Sequence, residues 1–174
     1  MSVFFQRNII TGKKAKEKTF QGIELMYDTV TRTLGPSGQN AIIDRGGQVA
    51  DLTKDGVTVA EEVMSKDPFE EQGCRIIREA SQQTNLSAGD GTTSIVVLAR
   101  EMCKASLALP ETASVIGVRR GMEKALTVCV EKIKELSFPI SEREEFHKVA
   151  SISCQDTELA GTLTDAFLGT GKHG

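Results

Sequence analysis

Apolar residues recur every three or four positions through most of this 174-residue chain, and this spacing places them along one face of an α-helix. The first such stretch covers residues 14–34 and ends at Gly35-Pro36, a pair that stops a helix. Its apolar face consists of Phe20, Ile23, Tyr27, Val30 and Leu34. The apolar runs 41–43 and 49–52 flank Gly46-Gly47, which indicates a β-hairpin. The sequence therefore predicts a mainly α fold with a small β-hairpin.

Further helices are expected after residue 56, the first two separated near Pro68. The second of these has an inner face formed by Phe69, Ile76, Ile77 and Ala80. Thr92 or Thr93 can cap the next helix, in which residues 95–99 are apolar on every side and are expected to be buried. A long helix follows, and its apolar stripe comprises Val118, Met122, Ala125, Leu126, Cys129, Ile133 and Leu136.

Pro139 marks the expected boundary before the last part of the chain. Ser141-x-x-Glu144 matches a capping box that starts a helix running through Val149. A last helix carries the narrow stripe Leu159, Leu163 and Phe167.

The composition excludes several classes of protein. Hydrophobic residues make up 39% of the chain, which with 16 glycines is ordinary for a globular domain. The formal net charge of -3 predicts no broad nucleic-acid surface, and no apolar run approaches the roughly 20 residues of a membrane helix. The cysteines form no CxxC pair, so we expect no zinc site or redox dithiol and a reducing, cytoplasmic location. They are Cys74, Cys103, Cys129 and Cys154.

The glycine turn at residues 89–94 is the clearest candidate for chemistry. Two glycines allow the backbone to turn tightly onto a helix N-terminus, where amides and the helix dipole bind anions. Asp90 suits a Mg²⁺ ion lying between its carboxylate and a phosphate. The hydroxyls of Thr92, Thr93 and Ser94 are further phosphate donors. Taken alone, the segment also fits an ordinary polar helix cap.

Two more glycine turns, at residues 33–38 and 53–56, precede it. Lys54 offers a cation and Asp55 a carboxylate able to orient water, an arrangement suited to cleaving phosphoanhydrides. Read alone, Lys-Asp-Gly is a common surface turn and Gly-Pro a common helix end. The motif GxxxxGK[ST] is absent, which excludes a P-loop, and no GxGxxG follows the hairpin, which excludes a dinucleotide-binding fold.

The segments TLGPSG, LTKDGVTVAEEV and AGDGTTS, in this order and spacing, resemble the group I chaperonins of the GroEL type. RRGMEKAL and TGKHG extend the resemblance along almost the whole chain. The resemblance implies that this chain corresponds to the amino-terminal third of such a protein. Residues 1–135 would form the first half of the equatorial ATP-binding domain, and residues 136–174 the ascending segment of the intermediate domain.

The resemblance also implies roles for individual residues. Asp90 would ligate Mg²⁺, the backbone oxygens of Thr33 and Lys54 would help to bind K⁺, and Asp55 matches an acid that assists hydrolysis. The principal base would lie outside this chain. The residues implied to hold ATP are Thr33, Leu34, Gly35, Pro36, Lys54, Gly56, Gly89, Asp90, Gly91, Thr92, Thr93, Ser94, Ile152 and Ser153.

Some positions depart from the family pattern. Ser37 and Gln39 stand where the family usually has Lys and Arg, so two positive charges are lost beside the first turn. Ser94 replaces the usual Thr, and Cys154-Gln155 replaces an Ala-Asn pair. These changes suggest a divergent paralogue.

Two functions stay open. One is an ATP-dependent chaperonin that works in a ring of identical or paralogous subunits, with co-chaperonin and unfolded polypeptides bound by domains missing here. The other is a truncated or divergent paralogue without folding or ATPase activity, acting as a nucleotide-binding or interaction module. A kinase-like enzyme has little support, because no set of catalytic bases accompanies the glycine turns. We expect neither a nucleic-acid nor a membrane partner.

Overall fold

The computed structural model describes residues 8–35, 37–47, 49–110, 112–154 and 156–171. In these residues the helices dominate and one small antiparallel sheet is present, which confirms the predicted fold class. The elements are α1 (Gly12–Val30), a 3₁₀ turn (Thr31–Thr33), β1 (Ala41–Ile43), β2 (Asp51–Thr53), α2 (Gly56–Glu62), α3 (Pro68–Ala88), α4 (Thr92–Leu107), α5 (Val115–Leu136), α6 (Arg143–Cys154) and α7 (Thr157–Thr170).

The chain divides into two compact units, Met1–Thr112 and Ala113–Gly174, and each is described by itself. The predicted equatorial and intermediate segments, 1–135 and 136–174, refer to the domains of the resembled family and stay a prediction. No helix in the described part of the chain is both long and apolar enough to cross a lipid bilayer.

The core of the first unit lies where α1, α2, α3 and α4 pack together. Its buried side chains are Ile23, Met26, Val30, Val59, Ala60, Cys74, Ile77 and Val96. The predicted α1 face is confirmed at Ile23 and Val30, but Leu34 is 46% exposed. The reason is that the α-helix ends at Val30, so the 3₁₀ turn carries Leu34 away from the core.

Two glycines allow α1 and α3 to cross closely. A Cβ at Gly22 would lie 1.8 Å from the Glu70 carbonyl oxygen, and one at Gly73 would lie 2.0 Å from the Thr19 carbonyl oxygen. The Cys74 thiol sits at the same crossing, with Sγ 3.4 Å from the Gly22 carbonyl oxygen. The backbones of α1 and α3 are therefore in direct contact here, and this contact fixes where the C-terminal end of α1 lies.

Two burial predictions for the first unit were wrong. Ile76 is 51% exposed, because the inner side of α3 passes through Cys74 and Ile77 instead. In residues 95–99 only Val96 is buried, and Leu98 is 58% exposed. Residues 95–99 are not buried on all sides, because α4 packs on α1 and α3 along one side.

The predicted β-hairpin is confirmed. The strands are antiparallel and pair Ala41 with Thr53, Ile42 with Leu52 and Ile43 with Asp51. The second strand begins at Asp51, two residues later than the apolar run predicted. The hairpin leads directly into α2, and the Lys54–Gly56 turn joins the two.

In the second unit α6 packs against α7, while α5 buries none of its residues. The Phe146 and Phe167 rings lie 5.3 Å apart between centroids. The buried positions of α7 are Ala160 and Thr164, whereas the predicted stripe residues Leu159, Leu163 and Phe167 are about half exposed. Small side chains occupy the contact because they allow the two helices to approach.

The start of α6 differs from the predicted capping box. Glu145 takes the role expected of Glu144, since its Oε2 accepts from the amides of Ser141, at 2.9 Å, and Glu142, at 3.1 Å. These amide bonds hold the pKa of Glu145 below its usual value.

Candidate functional site

The first and third glycine turns, which lie more than 50 residues apart in sequence, meet in the first unit. They form the two walls of an open cleft of about 170 Å³. Its lining residues are Thr33, Leu34, Gly35, Asp90, Gly91, Thr92, Thr93 and Ser94. All eight were singled out as ligand residues by the sequence analysis, so the structure brings the core of that set together.

One wall is the 3₁₀ turn that ends α1. Thr33 is 5% exposed, and its hydroxyl donates to the Val30 carbonyl oxygen at 2.8 Å. The Leu34 amide donates to the Thr31 carbonyl oxygen at 3.1 Å, and Gly35 then turns the chain with φ of +74°. This conformation favours glycine, which explains the residue type at the bend.

The other wall is the N-terminus of α4. Gly91 is the N-cap residue, with φ of +82°, and no side chain caps the helix. The expectation that Thr92 or Thr93 would cap it was therefore wrong, because the helix begins at Thr92 and both threonines lie in its first turn. The first amides of a helix lack partners within the helix, so those of Thr92, Thr93 and Ser94 are available to an anion at the positive end of the dipole.

The Thr92 side chain is the most buried polar group of the cleft lining on this wall. Thr92 is 9% exposed, and its carbonyl oxygen accepts from the buried Ser81 hydroxyl at 3.2 Å. Its own hydroxyl makes no hydrogen bond to any residue that the structure describes. Because Thr92 lines the cleft, its hydroxyl is a candidate donor to a ligand atom there.

The second glycine turn reaches this wall through its backbone. A Cβ on Gly56 would lie 2.1 Å from Thr93 Oγ1 and 3.3 Å from Thr92 Oγ1, so only glycine permits this approach. The Asp55 carboxylate is the N-cap of α2 and accepts from the Thr58 amide at 2.9 Å and the Thr58 hydroxyl at 2.5 Å. Neither Lys54 nor Asp55 belongs to the described cleft lining, so the structure places the turn beside the cleft and leaves their roles as predictions.

Asp90 carries the negative charge of the cleft lining. Its Oδ1 accepts from the Gly91 amide at 2.6 Å, while Oδ2 makes no hydrogen bond to the described residues. An exposed carboxylate oxygen beside phosphate donors is the kind of hard ligand that Mg²⁺ prefers. Asp90 is therefore the residue of the described cleft lining that could hold a Mg²⁺ ion.

Four further predicted ligand residues do not belong to the described cleft lining. Pro36 falls outside the described residues. Ile152, which is 78% exposed, and Ser153 lie in α6 of the second unit, so their assignment stays a prediction. Gly89 ends α3 with φ of +69°, and its amide donates to the Asn85 carbonyl oxygen.

Sequence reasoning missed a contact that ties the two walls together. Arg100 on α4 donates to both carboxylate oxygens of Glu24 on α1, at 2.7 and 3.0 Å. It also stacks over Tyr27 and pairs with Glu101. These carboxylates, Glu24 above all, raise the pKa of Arg100. The available signal was the Glu24/Tyr27 spacing, which places both on one side of α1.

Comparison with known proteins gives this arrangement its context. Residues 26–172 match the TCP-1/cpn60 chaperonin family. This chain belongs to that family. The match is consistent with the group I, GroEL-type resemblance, and the chaperonin chain has the helices and small sheet of an equatorial-domain fragment.

Two solved structures of the chaperonin gp146 from bacteriophage EL 2 (Pseudomonas aeruginosa) resemble this chaperonin chain with a TM-score of 0.77. Both were obtained in the presence of ATP-BeFx, in crystal forms II and I, and the sequences are 27% and 28% identical in the two matches. Each match covers 94% of this chain but 29% of gp146. The chain thus spans less than a third of the length of that chaperonin.

Proposed function

We propose that this chain forms the phosphate-binding part of the nucleotide site in an ATP-dependent chaperonin subunit. The observation that carries the proposal is the cleft in which the α1–3₁₀ wall meets the α4 N-terminus. The α4 wall supplies amides and hydroxyls, the donors that phosphate oxygens require. The ATP-BeFx of the gp146 structures supports a nucleotide as the ligand in this family.

Metal ions complete the proposed site. Asp90 would hold Mg²⁺ through the oxygen that its bond to Gly91 leaves available. When bound, that ion neutralises charge on the phosphates. The backbone oxygens of Thr33 and Lys54 are proposed to help bind K⁺, an assignment that rests on the chaperonin resemblance.

Hydrolysis and assembly belong to the same proposal. Asp55 is proposed to assist hydrolysis, for which its carboxylate would leave the Thr58 amide and hydroxyl that now occupy it. Residues 1–135 and 136–174 would be equatorial and intermediate segments, with Ile152 and Ser153 closing over the nucleotide. We also propose ring partners, a co-chaperonin, unfolded polypeptides and a cytoplasmic location, on the basis of the chaperonin resemblance.

The commitment of Asp55 to capping α2 favours one alternative, a divergent paralogue that binds nucleotide without hydrolysing it. Turnover measured alongside binding separates the two. Binding of MgATP without hydrolysis by an assembled ring containing this chain would support the paralogue.

Calorimetry with MgATP tests the site. Asp90→Asn keeps an oxygen for the Gly91 amide but removes the charge, so we expect MgATP affinity to fall at least about tenfold. Asp28→Asn removes an exposed carboxylate from α1 and should leave the affinity unchanged. Equal affinity in wild type and Asp90→Asn, with both folded by circular dichroism, would reject the assignment of Asp90.

A further inference from the structure

We propose that His147 is an acid-sensitive switch in the second unit. While its imidazole is neutral, α6 and α7 stay packed together, and the pair loosens when the ring takes up a second proton. The switch lies outside the cleft and requires no nucleotide, so it goes beyond the proposed function. Three observations carry it: a buried nitrogen without a partner, its position in the α6–α7 contact and the charged groups around it.

One nitrogen of His147 is buried without a hydrogen bond. Its Nδ1 is shielded from solvent and has no partner among the described residues, although the residue as a whole is only partly buried. It is the one such side-chain nitrogen or oxygen in the buried and partly buried residues that the structure describes. Since buried polar atoms normally have partners, this atom requires an explanation.

The protonation state of the ring provides that explanation. A neutral imidazole has one N–H donor and one bare nitrogen, which is an acceptor. Because no acceptor faces Nδ1, the proton of the neutral ring belongs on Nε2 and Nδ1 is bare. A second proton would have to bind at Nδ1, where it would bring a positive charge and an N–H without an acceptor into a buried position. Both are costly in a folded protein.

The residues around His147 place it in the contact between α6 and α7. These two helices pack against each other in the second unit. Arg143, one turn before His147, donates to the Asp165 carboxylate of α7 at 2.7 and 2.9 Å. The ring of Phe146 lies 5.3 Å from that of Phe167, measured between centroids. A change at Nδ1 therefore acts on the surface that joins the two helices.

Two hydroxyls of these helices are engaged by backbone. Ser151, one turn after His147, donates to the His147 carbonyl oxygen at 2.7 Å. The buried Thr164 of α7 donates to the Ala160 carbonyl oxygen at 2.7 Å. Each hydroxyl has a single proton, so neither has a second one to offer to Nδ1.

No carboxylate in the described part of the two helices is placed to stabilise a charged His147. Asp165 is already paired with the Arg143 guanidinium, and Glu145 accepts two backbone amides at the start of α6. The other titratable groups of the helices and their connection form no described hydrogen bond or ion pair with His147. They are Glu144, Lys148, Cys154, Asp156 and Glu158.

Acidification should weaken the α6–α7 pair just below neutral pH. Histidine in an unfolded chain adds its second proton near pH 6.5. Because the folded pair has no acceptor for that proton, the unfolded chain binds more protons below this pH, and the pair loses stability as the pH falls. Its full stability is present above about pH 7.5. Glu145 does not interfere, because its pKa is lowered and so lies below this range.

Amide hydrogen exchange followed by NMR on the 174-residue chain tests the switch. Between pH 7.5 and pH 5.5 we expect the protection factors of α6 and α7 to fall about tenfold, the effect of one pH unit below the histidine midpoint. His147→Phe keeps an aromatic ring that binds no proton, so its protection should be equal at both pH values. His147→Gln, also neutral throughout, makes the same test if the phenylalanine variant does not fold.

His173→Gln is the matched control, since it removes the chain's other histidine and should keep the tenfold fall. The imidazole nitrogen shifts of the same samples report the tautomer, and a proton on Nδ1 of His147 at pH 7.5 would overturn the proposal. Equal protection of the wild-type chain at both pH values would overturn it too. So would an equal fall in wild type and a folded His147 variant, because the acid response would then come from another group. None of these outcomes depends on nucleotide binding.

Discussion

The guanidinium carbon of Arg100 lies 4.7 Å from the centre of the Tyr27 ring. The same guanidinium forms two hydrogen bonds with Glu24, so one side chain of α4 holds two residues on successive turns of α1. Because α1 leads into one wall of the cleft and α4 begins at the other, this contact sets the spacing between the walls. We therefore expect Arg100 to position the walls of the proposed phosphate site.

Replacing Arg100 with methionine keeps much of the side-chain volume but removes both the ion pair and the cation–π contact. We expect a lower thermal midpoint and MgATP binding weaker by about fivefold or more, a typical coupling between sites. Arg119→Met is the matched control, because Arg119 is exposed and, among the described residues, pairs only with Glu123 one turn away on α5. Equal MgATP affinities for the two variants would show that Arg100 does not influence the site.

Gly56→Ala places a methyl group against Thr93 at the α4 N-terminus. We expect a loss of stability of about 1–3 kcal/mol, the range for overpacking, together with weaker MgATP binding. Adding Thr93→Ala removes the clashing hydroxyl and should restore stability, whereas Thr93→Ser keeps that hydroxyl and should not. Urea denaturation of the single and double variants measures the coupling. If the changes in stability of the two single variants simply added up in the double variant, the contact between Gly56 and Thr93 would be contradicted.

The Lys18 ion pairs predict how stability depends on pH. The Lys18 ammonium lies 2.8 Å from Asp67 and 2.7 Å from Glu70, and its hydrogen bonds lower the pKa of both carboxyls. Carboxyls with depressed pKa values stabilise the fold above their unfolded pKa, near 4, and this stability is lost as the pH falls through the folded pKa. Conversely, the raised pKa of Lys18 contributes stability that is lost only as the pH rises above 10.5.

Lys18→Met should therefore lower the urea midpoint at pH 7 and flatten its decline between about pH 5 and pH 3. The Lys13→Met variant is the control, since Lys13 is exposed and lies 3.8 Å from Glu17. Urea midpoints across this range, with and without 0.5 M salt, measure the effect. A decline as steep in Lys18→Met as in wild type would show that these pairs do not govern acid stability.

Much of the fold could be predicted because helical spacing and glycine turns are local signals. The hairpin and the break before α3 both follow from residues close in sequence. Burial was less predictable, because it depends on which side of a helix meets another. Ile76 and Cys74 are both apolar positions on α3, and only the close crossing at Gly22 and Gly73 places Cys74 inside.

The same holds for the candidate site, where local features could be predicted from the sequence and long-range contacts could not. Asp90 and its neighbouring hydroxyl residues were visible as a turn followed by a helix, and the resemblance supplied the distant Thr33 wall. The Glu24/Tyr27 spacing places both residues on one side of α1, but it does not identify Arg100 as their partner, since Arg100 and Glu24 lie 76 positions apart in sequence. Nor does sequence reveal that Asp55 caps α2 through Thr58, because the same carboxylate suits several roles until its partners are known.

The bends at Gly35 and Gly91 have a consequence for how this site tolerates substitution. In the proposed site the α4 amides would bind phosphate wherever the chain follows the same path, whichever side chains the surrounding positions carry. Drift in sequence can therefore leave the binding chemistry intact, as long as the left-handed bends persist. What must be preserved in such a site is the path of the backbone. A single methyl group on one of these two glycines would disturb that path more than the exchange of a neighbouring polar residue.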